Sequence, residues 1–243
     1  MPTPSSDVLL IALGFTPSLL WLVWWLRKDS HPEPKVMLTK VLMLGIMLSP
    51  LAIVAQLLFV QLFANIFHVD PSAFSNSPWF FLWAAFVEEV VKYLAVFFVV
   101  MRNPEFDEPV DAMVYMLTAA MGFAAMENIL VVARVLPDGL TATVGLLGLR
   151  FAGATLLHAL SSALLGYFLA LSWFYNRHKR ALFWLGLSMA TMFHWVFNLF
   201  ISQMQQTVSL FFSTLLLIVM AFLISVLFDK IKERDALVHT SIA

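Results

Sequence analysis

Cysteine is absent from the sequence, which excludes disulfides, thiolate metal sites and a thiol nucleophile and leaves the redox compartment unread. Charge is scarce too. Only 12% of the 243 residues are charged and 61% are hydrophobic, where an ordinary soluble domain carries roughly 25% and 45–50%. That imbalance excludes disorder, a nucleic-acid-binding surface and almost any soluble fold of this length. The net charge of −1 carries no information about partners, because the charges are confined to short loops. Basic residues are also missing ahead of the first apolar run. Arg27 and Lys28 follow it, whereas a cleavable signal peptide carries them in front.

What the sequence has instead is long apolar runs, several exceeding the ~20 residues that cross a bilayer as a helix. Reading between polar breaks predicts an all-α, polytopic transmembrane helical bundle of about seven spans, near 8–26, 38–64, 79–101, 110–133, 151–174, 181–201 and 207–228. Pro50 predicts a kink or a partly interfacial end in the second span. The stretch from Asp29 to Lys35 reads as a stiff, proline-rich turn. Brief linkers and the absence of repeats or low-complexity tracts make residues 1–243 a single membrane-embedded domain. Its polar four-helix core is at about 79–201.

Lysine and arginine set the orientation. Arg27, Lys28, Lys35, Lys40, Arg102, Arg177, Lys179, Arg180, Lys230, Lys232 and Arg234 fall on one side of the predicted membrane. Arg134 and Arg150 fall on the other, and Lys92 lies inside a span. Eleven against two predicts the N-terminus outside and the C-terminus in the cytoplasm. His31, His68, His178 and His239 fall in loops or the tail and read as solvated.

The informative residues are those that a membrane should exclude. An ionisable side chain at mid-bilayer costs about 2.5–3.5 kcal/mol on insertion scales and usually marks function. The third to sixth spans carry Glu88, Glu89, Lys92, Glu127, His158 and His194. The depths agree: Glu88 and Glu89 lie near the middle, Glu127 ~8 Å beyond it, and the histidines ~4–6 Å toward the same outer side. Structural accidents on four separate helices would scatter. Glu88 and Lys92 are i,i+4 and Glu89 and Lys92 i,i+3, so the lysine can pair with either carboxylate. His194 and Asn198 share a face at i,i+4. The bland readings are a structural Glu–Lys pair, a histidine bonded to a carbonyl, and Asn128 and Asn198 as interhelical hydrogen-bond donors. Glu127 has no cation within one turn of its own helix, so a structural reading is weakest there.

These residues resemble the PrsW-type intramembrane proteases, in the wider group that includes the CAAX prenyl proteases (the CPBP group). The likeness rests on Glu88-Glu89-Val-Val-Lys92 and on Glu108-Pro-Val-Asp111 through Tyr115 to Phe123-Ala-Ala-Met-Glu127-Asn128. It continues through His158 and His194-Trp-Val-Phe-Asn198, with the Pro-Glu-Pro turn at 32–34. The resemblance implies a bacterial cytoplasmic-membrane protease acting on a single-pass membrane protein, such as an anti-sigma factor cut on its extracytoplasmic side. Prenyl proteases place histidine where Glu127 stands, so a prenylated substrate is disfavoured.

No Gly-x-Ser-x-Gly, catalytic aspartate pair or His-Glu-x-x-His occurs, which leaves water activated by glutamate, in two versions. Without metal, Glu88 or Glu89 is general base, His158 orients the water and His194 with Asn198 forms the oxyanion hole, with Lys92, Glu127 and Asn128 in support. With metal, His158, His194 and one glutamate, placed at Glu127, bind zinc and leave a position for water. The metal-free version is preferred and zinc stays open. The rival classes are a proton- or cation-coupled transporter and a non-catalytic relative that binds membrane proteins; no inverted repeat supports the transporter.

Overall fold

The structure is a computed structural model that describes residues 4–29 and 31–242, with side chains described for 8–29 and 31–238; the reading of His239 as solvated lies outside those side chains. Nine α-helices follow one another among the described residues, with no strand: α1 (Pro4–Leu26), α2 (Lys35–Phe67), α3 (Pro71–Ser75), α4 (Pro78–Val99), α5 (Asp111–Val135), α6 (Leu140–Arg150), α7 (Leu156–Phe174), α8 (Lys179–Gln203) and α9 (Gln206–Ile242). A π-turn, Phe151–Thr155, joins α6 to α7. Six helical stretches are long and apolar enough to cross a membrane, among them Leu140–Phe174 as one continuous unit. The protein is an all-helical polytopic membrane protein. The stretch containing 151–174 thus begins eleven residues before the predicted start, because the polar break at Arg150 does not interrupt it. α4 stands apart from the six, since its 22 residues carry Glu88, Glu89 and Lys92. At 1.5 Å per residue it is nevertheless ~33 Å long.

Local chemistry sets the boundaries. Ser77 caps α4 by accepting the Phe80 N–H at 3.2 Å, with Pro78 in the first turn, where its missing N–H is not needed. α2 ends at His68 in the left-handed conformation, its N–H returned to the Ala64 carbonyl. Pro50 does not interrupt α2, which runs as one helix from Lys35 to Phe67.

α5 is the axis of the bundle. Every residue from Asp111 to Ala125 is buried, and α1, α2 and α7 pack around it. A helix buried on all sides needs small residues where its neighbours approach. At the crossing with α2, a Cβ on Gly122 would overlap the Leu42 carbonyl oxygen, and one on Gly45 would overlap that of Ala119. The two glycines let the backbones touch, which places the α5 polar residues at a fixed height.

The start of α5 is anchored by the proline-rich turn. The Tyr115 hydroxyl donates to the buried Glu33 carboxylate. Asp111 Oδ2 accepts the backbone N–H groups of Asp107 and Glu108 at 3.0 and 2.8 Å. His31 Nδ1 lies 2.8 Å from Glu108 Oε1. Burial pushes the Asp29 and Glu33 carboxyls above their ordinary range. The Glu108–Asp111–Tyr115 motif therefore serves the turn.

Gly122→Val should lower the thermal midpoint in detergent by several degrees or abolish folding, since overpacking costs about 1–3 kcal/mol or more. Gly148→Ala, with nothing within 4 Å of the added atom, should leave the midpoint unchanged or raise it slightly. Equal midpoints for the two variants would contradict the close crossing.

Candidate active site

Glu89 and Lys92 face inward from the middle of α4, and both side chains are fully buried. Lys92 Nζ donates to Glu89 Oε1 at 2.7 Å and to His158 Nδ1 at 2.8 Å. The hydroxyls of Ser161 and Ser162, on α7, donate to Glu89 Oε1 and Oε2 at 2.9 and 2.8 Å. His194 Nδ1, on α8, donates to Glu89 Oε1 at 2.9 Å. Four donors on three helices therefore satisfy one carboxylate, as a buried charge requires. Of the two glutamates open to Lys92, the lysine takes Glu89.

Glu88 is treated differently. Its Oε1 accepts from Gln56 Nε2 of α2 at 3.0 Å, but its buried Oε2 accepts no hydrogen bond. That oxygen lies 3.5 Å from His194 Nε2 and 3.9 Å from His158 Nδ1. Both imidazoles use their other nitrogen on a carboxylate: His194 on Glu89, and His158 through Nε2 on Glu127 Oε2 at 2.8 Å. Two ring nitrogens and one carboxylate oxygen thus converge, with ligand atoms of Glu88, His158 and His194 all within 4.8 Å of one another.

Donor chemistry tests whether this trio suits a metal. Two imidazoles and one carboxylate are the protein ligands of a common class of hydrolytic zinc site. Metal-ligating histidines characteristically donate their second N–H to a carboxylate, which fixes tautomer and ring orientation. Glu127 and Glu89 stand in those places. Charge agrees: three ionised carboxylates against Lys92 and Arg150 leave one negative charge in excess when the imidazoles are neutral. One proton among the trio balances it, and a divalent ion there would leave one positive charge, which a bound hydroxide would cancel. The donor set fits; one contact opposes it, the hydrogen bond from Lys92 that occupies His158 Nδ1.

Arg150 reaches this site because of the π-turn. Eight residues separate Arg150 from His158, which in an uninterrupted α-helix sets them about 80° apart; the extra residue of a π-bulge reduces the offset to about 20°. Arg150 Nη2 then donates to Glu127 Oε2 at 3.2 Å and Nε to Asn128 Oδ1 at 2.5 Å. Asn128 Nδ2 donates to Thr155 Oγ1 at 3.2 Å, within the turn itself. Trp21 of α1 donates to the Phe151 carbonyl at 2.8 Å and stacks on the Phe151 ring. Phe123 underlies the cluster, with Lys92 Nζ 4.9 Å from its ring centroid and the His158 ring 5.6 Å away.

The structure brings Glu88, Glu89, Lys92, Glu127, Asn128, His158 and His194 together. It departs from the sequence reading in three respects. The carboxylate in the candidate metal trio is Glu88, because Glu127 is already engaged by Arg150 and His158. Arg150, read as a loop charge, is the cation that Glu127 lacked on its own helix. Asn198 is half-buried and its side chain bonds to none of the others among the described residues; its main-chain carbonyl accepts from Ser202 Oγ at 2.6 Å. Ser161, Ser162 and Gln56 were missed. Helical spacing held the one usable signal: Ser161 and Ser162 lie three and four residues beyond His158.

A family model described as PrsW family intramembrane metalloprotease matches residues 33–227. Protease PrsW of Geobacillus kaustophilus is 30% identical over 192 residues, which cover 78% of each chain. Protease PrsW of Oceanobacillus iheyensis is 27% identical over 190 residues, 78% of this chain and 81% of the relative. That of Bacillus subtilis is 31% identical over 122 residues, 50% of this chain and 52% of the relative. No solved structure matches the chain. The family match spans the whole network from Gln56 to His194, and the chain belongs to the PrsW family of intramembrane metalloproteases.

Proposed function

We propose that this membrane protease hydrolyses a peptide bond in a single-pass, membrane-anchored protein, of which an anti-sigma factor is the type, at a site formed by Glu88, His158 and His194. The observation that carries the reading is the convergence of Glu88 Oε2 with one nitrogen of each imidazole, while the other nitrogens are held by Glu89 and Glu127. Those three side chains would hold a divalent ion such as zinc, which when bound supplies Lewis-acid activation of the attacking water.

The chain's own groups supply the rest. Glu127 is the proton carrier: its Oε2 binds Arg150 and His158, its Oε1 has no partner among the described residues, and its side chain is 28% exposed. Oε1 takes a proton from water as the new C–O bond forms and returns it to the leaving nitrogen as the C–N bond breaks, releasing a carboxylic acid and an amine, between which the second water proton passes to give carboxylate and ammonium. Asn198, on the face of α8 that carries His194, has an uncommitted side-chain amide that donates to the oxyanion; one such donor is worth ~3–4 kcal/mol. Lys92 and Glu89 position the imidazoles. The metal-free version, in which Glu88 itself takes the proton, is favoured by one contact, that of Lys92 with His158 Nδ1.

We also propose that α4 is a seventh span and that the N-terminus faces outward, which puts Glu127 and Arg134 on the extracytoplasmic side. The native chain has no cysteine, so single cysteines introduced at residues 138 and 178 report the orientation directly. An impermeant thiol reagent on intact cells should label the first and spare the second; the reverse pattern would invert the topology.

Glu88→Gln and His194→Ala should lose both bound metal, measured by elemental analysis, and cleavage. Glu127→Gln should keep the metal, because the amide oxygen still accepts from His158. It should lose about 10²–10⁴-fold in kcat. An active preparation holding less than ~0.2 metal ions per chain would instead select the metal-free version, since a catalytic metal requires near-stoichiometric occupancy.

A further inference from the structure

A cleft of about 480 Å³ opens beside the catalytic cluster, between the ends of α5, α6, α8 and α9 and the π-turn. Its position follows from helix geometry. Val131 lies four residues beyond Glu127, Ala154 four before His158, and Phe197 three beyond His194, and all three line the cleft. Each is one turn, ~5.4 Å, from a member of the site, and the three displacements run toward the same end of the bundle. The cleft therefore lies about one helical turn from the site and shares Arg150 with it. Leu149, Ile201 and Leu210 make its wall apolar, and Gly153 and Ala154 leave room for a peptide backbone.

Two guanidiniums interrupt that apolar wall. Arg150 is committed to Glu127 and Asn128. Arg134 has no ion pair or hydrogen-bond partner from its side chain among the described residues, yet lines the cleft seven residues beyond Glu127 on α5. A larger aromatic groove beside Trp83 and Phe86 has no charged side chain in its wall, so nothing there selects an occupant.

Building on the protease reading, we propose that this cleft seats the substrate segment flanking the scissile bond, and that Arg134 is a specificity-determining residue that pairs with an acidic side chain of the substrate. Seven helical residues rise ~10 Å, which an extended peptide covers in about three residues at ~3.3 Å each. The acidic side chain is accordingly expected about three residues from the bond cut.

The test uses the full chain carrying Glu88→Gln in phosphatidylcholine nanodiscs. The probes are synthetic single-pass peptides of about thirty residues, with one aspartate walked through an otherwise uncharged extramembrane flank, each beside its asparagine counterpart. At one position aspartate should tighten binding about 3–5-fold, the upper scale of a single exposed ion pair. Adding Arg134→Gln should erase that advantage, and Arg134→Glu should transfer it to a further peptide carrying lysine at the same position. In the otherwise native chain the same preference should appear in KM rather than kcat. Aspartate and asparagine peptides binding within twofold at every position, or a preference that survives Arg134→Gln, would overturn the proposal. So would phosphatidylglycerol displacing the aspartate peptide through Arg134, which makes the cleft a lipid site. Arg134-dependent binding of a peptide that is never cut would sustain the cleft assignment and sink the protease reading instead.

Discussion

The buried carboxylate of Glu89 is the constraint around which the site is arranged. A charge in the interior of a membrane bundle must be both paired and fully hydrogen-bonded, and removing one partner of such a pair typically costs about 3–5 kcal/mol. Here Lys92 supplies the counter-charge, and Ser161, Ser162 and His194 supply the remaining donors. Meeting that requirement draws α4, α7 and α8 to one point. It also aims both imidazoles: His194 spends Nδ1 on Glu89, and Lys92 sits against His158 Nδ1. The convergence of both imidazoles on Glu88 is thus a by-product of satisfying Glu89.

That arrangement works because the surrounding frame fixes heights and rotations. α5 carries Glu127 and Asn128 and is buried along most of its length. The Gly45–Gly122 crossing with α2 and the Tyr115–Glu33 bond at its start leave α5 little freedom to slide. A site requires positioning to about 0.5 Å, which packed helices provide better than loops. The π-turn adds the last adjustment, rotating Arg150 onto the face where Glu127 waits. Glu127 then has a cation beside it and, at 28% exposure, a more open side chain than Glu88 or Glu89.

Much of this was legible in the sequence. The apolar runs predicted the helices, and the agreement in depth of Glu88, Glu89, Lys92, Glu127, His158 and His194 predicted that they meet. Depth along a helix follows from residue count alone. The rotation of one helix against another does not, and for that reason the sequence leaves open whether Lys92 pairs with Glu88 or Glu89, and names Glu127 where the candidate trio of the structure has Glu88. Arg150 was read as a loop charge because nothing in Leu-Arg-Phe-Ala-Gly-Ala-Thr announces a π-turn. Ser161 and Ser162 were hidden by their ordinariness, since small hydroxyls are common in membrane helices and only a buried carboxylate opposite them makes them specific. Asn198, placed by spacing beside His194, shares its helix face but not its hydrogen bonds.

The central claim is that Glu88, His158 and His194 form one ligand set whose second nitrogens are held by Glu89 and Glu127. X-ray absorption at the zinc edge of the active, purified protein tests it most directly. Nitrogen and oxygen neighbours at about 2.0–2.2 Å with the outer-shell scattering of two imidazoles are expected, and the zinc signal should be lost in His194→Ala. A fully active protein whose spectrum lacks imidazole scattering, or is unchanged by that substitution, would contradict it.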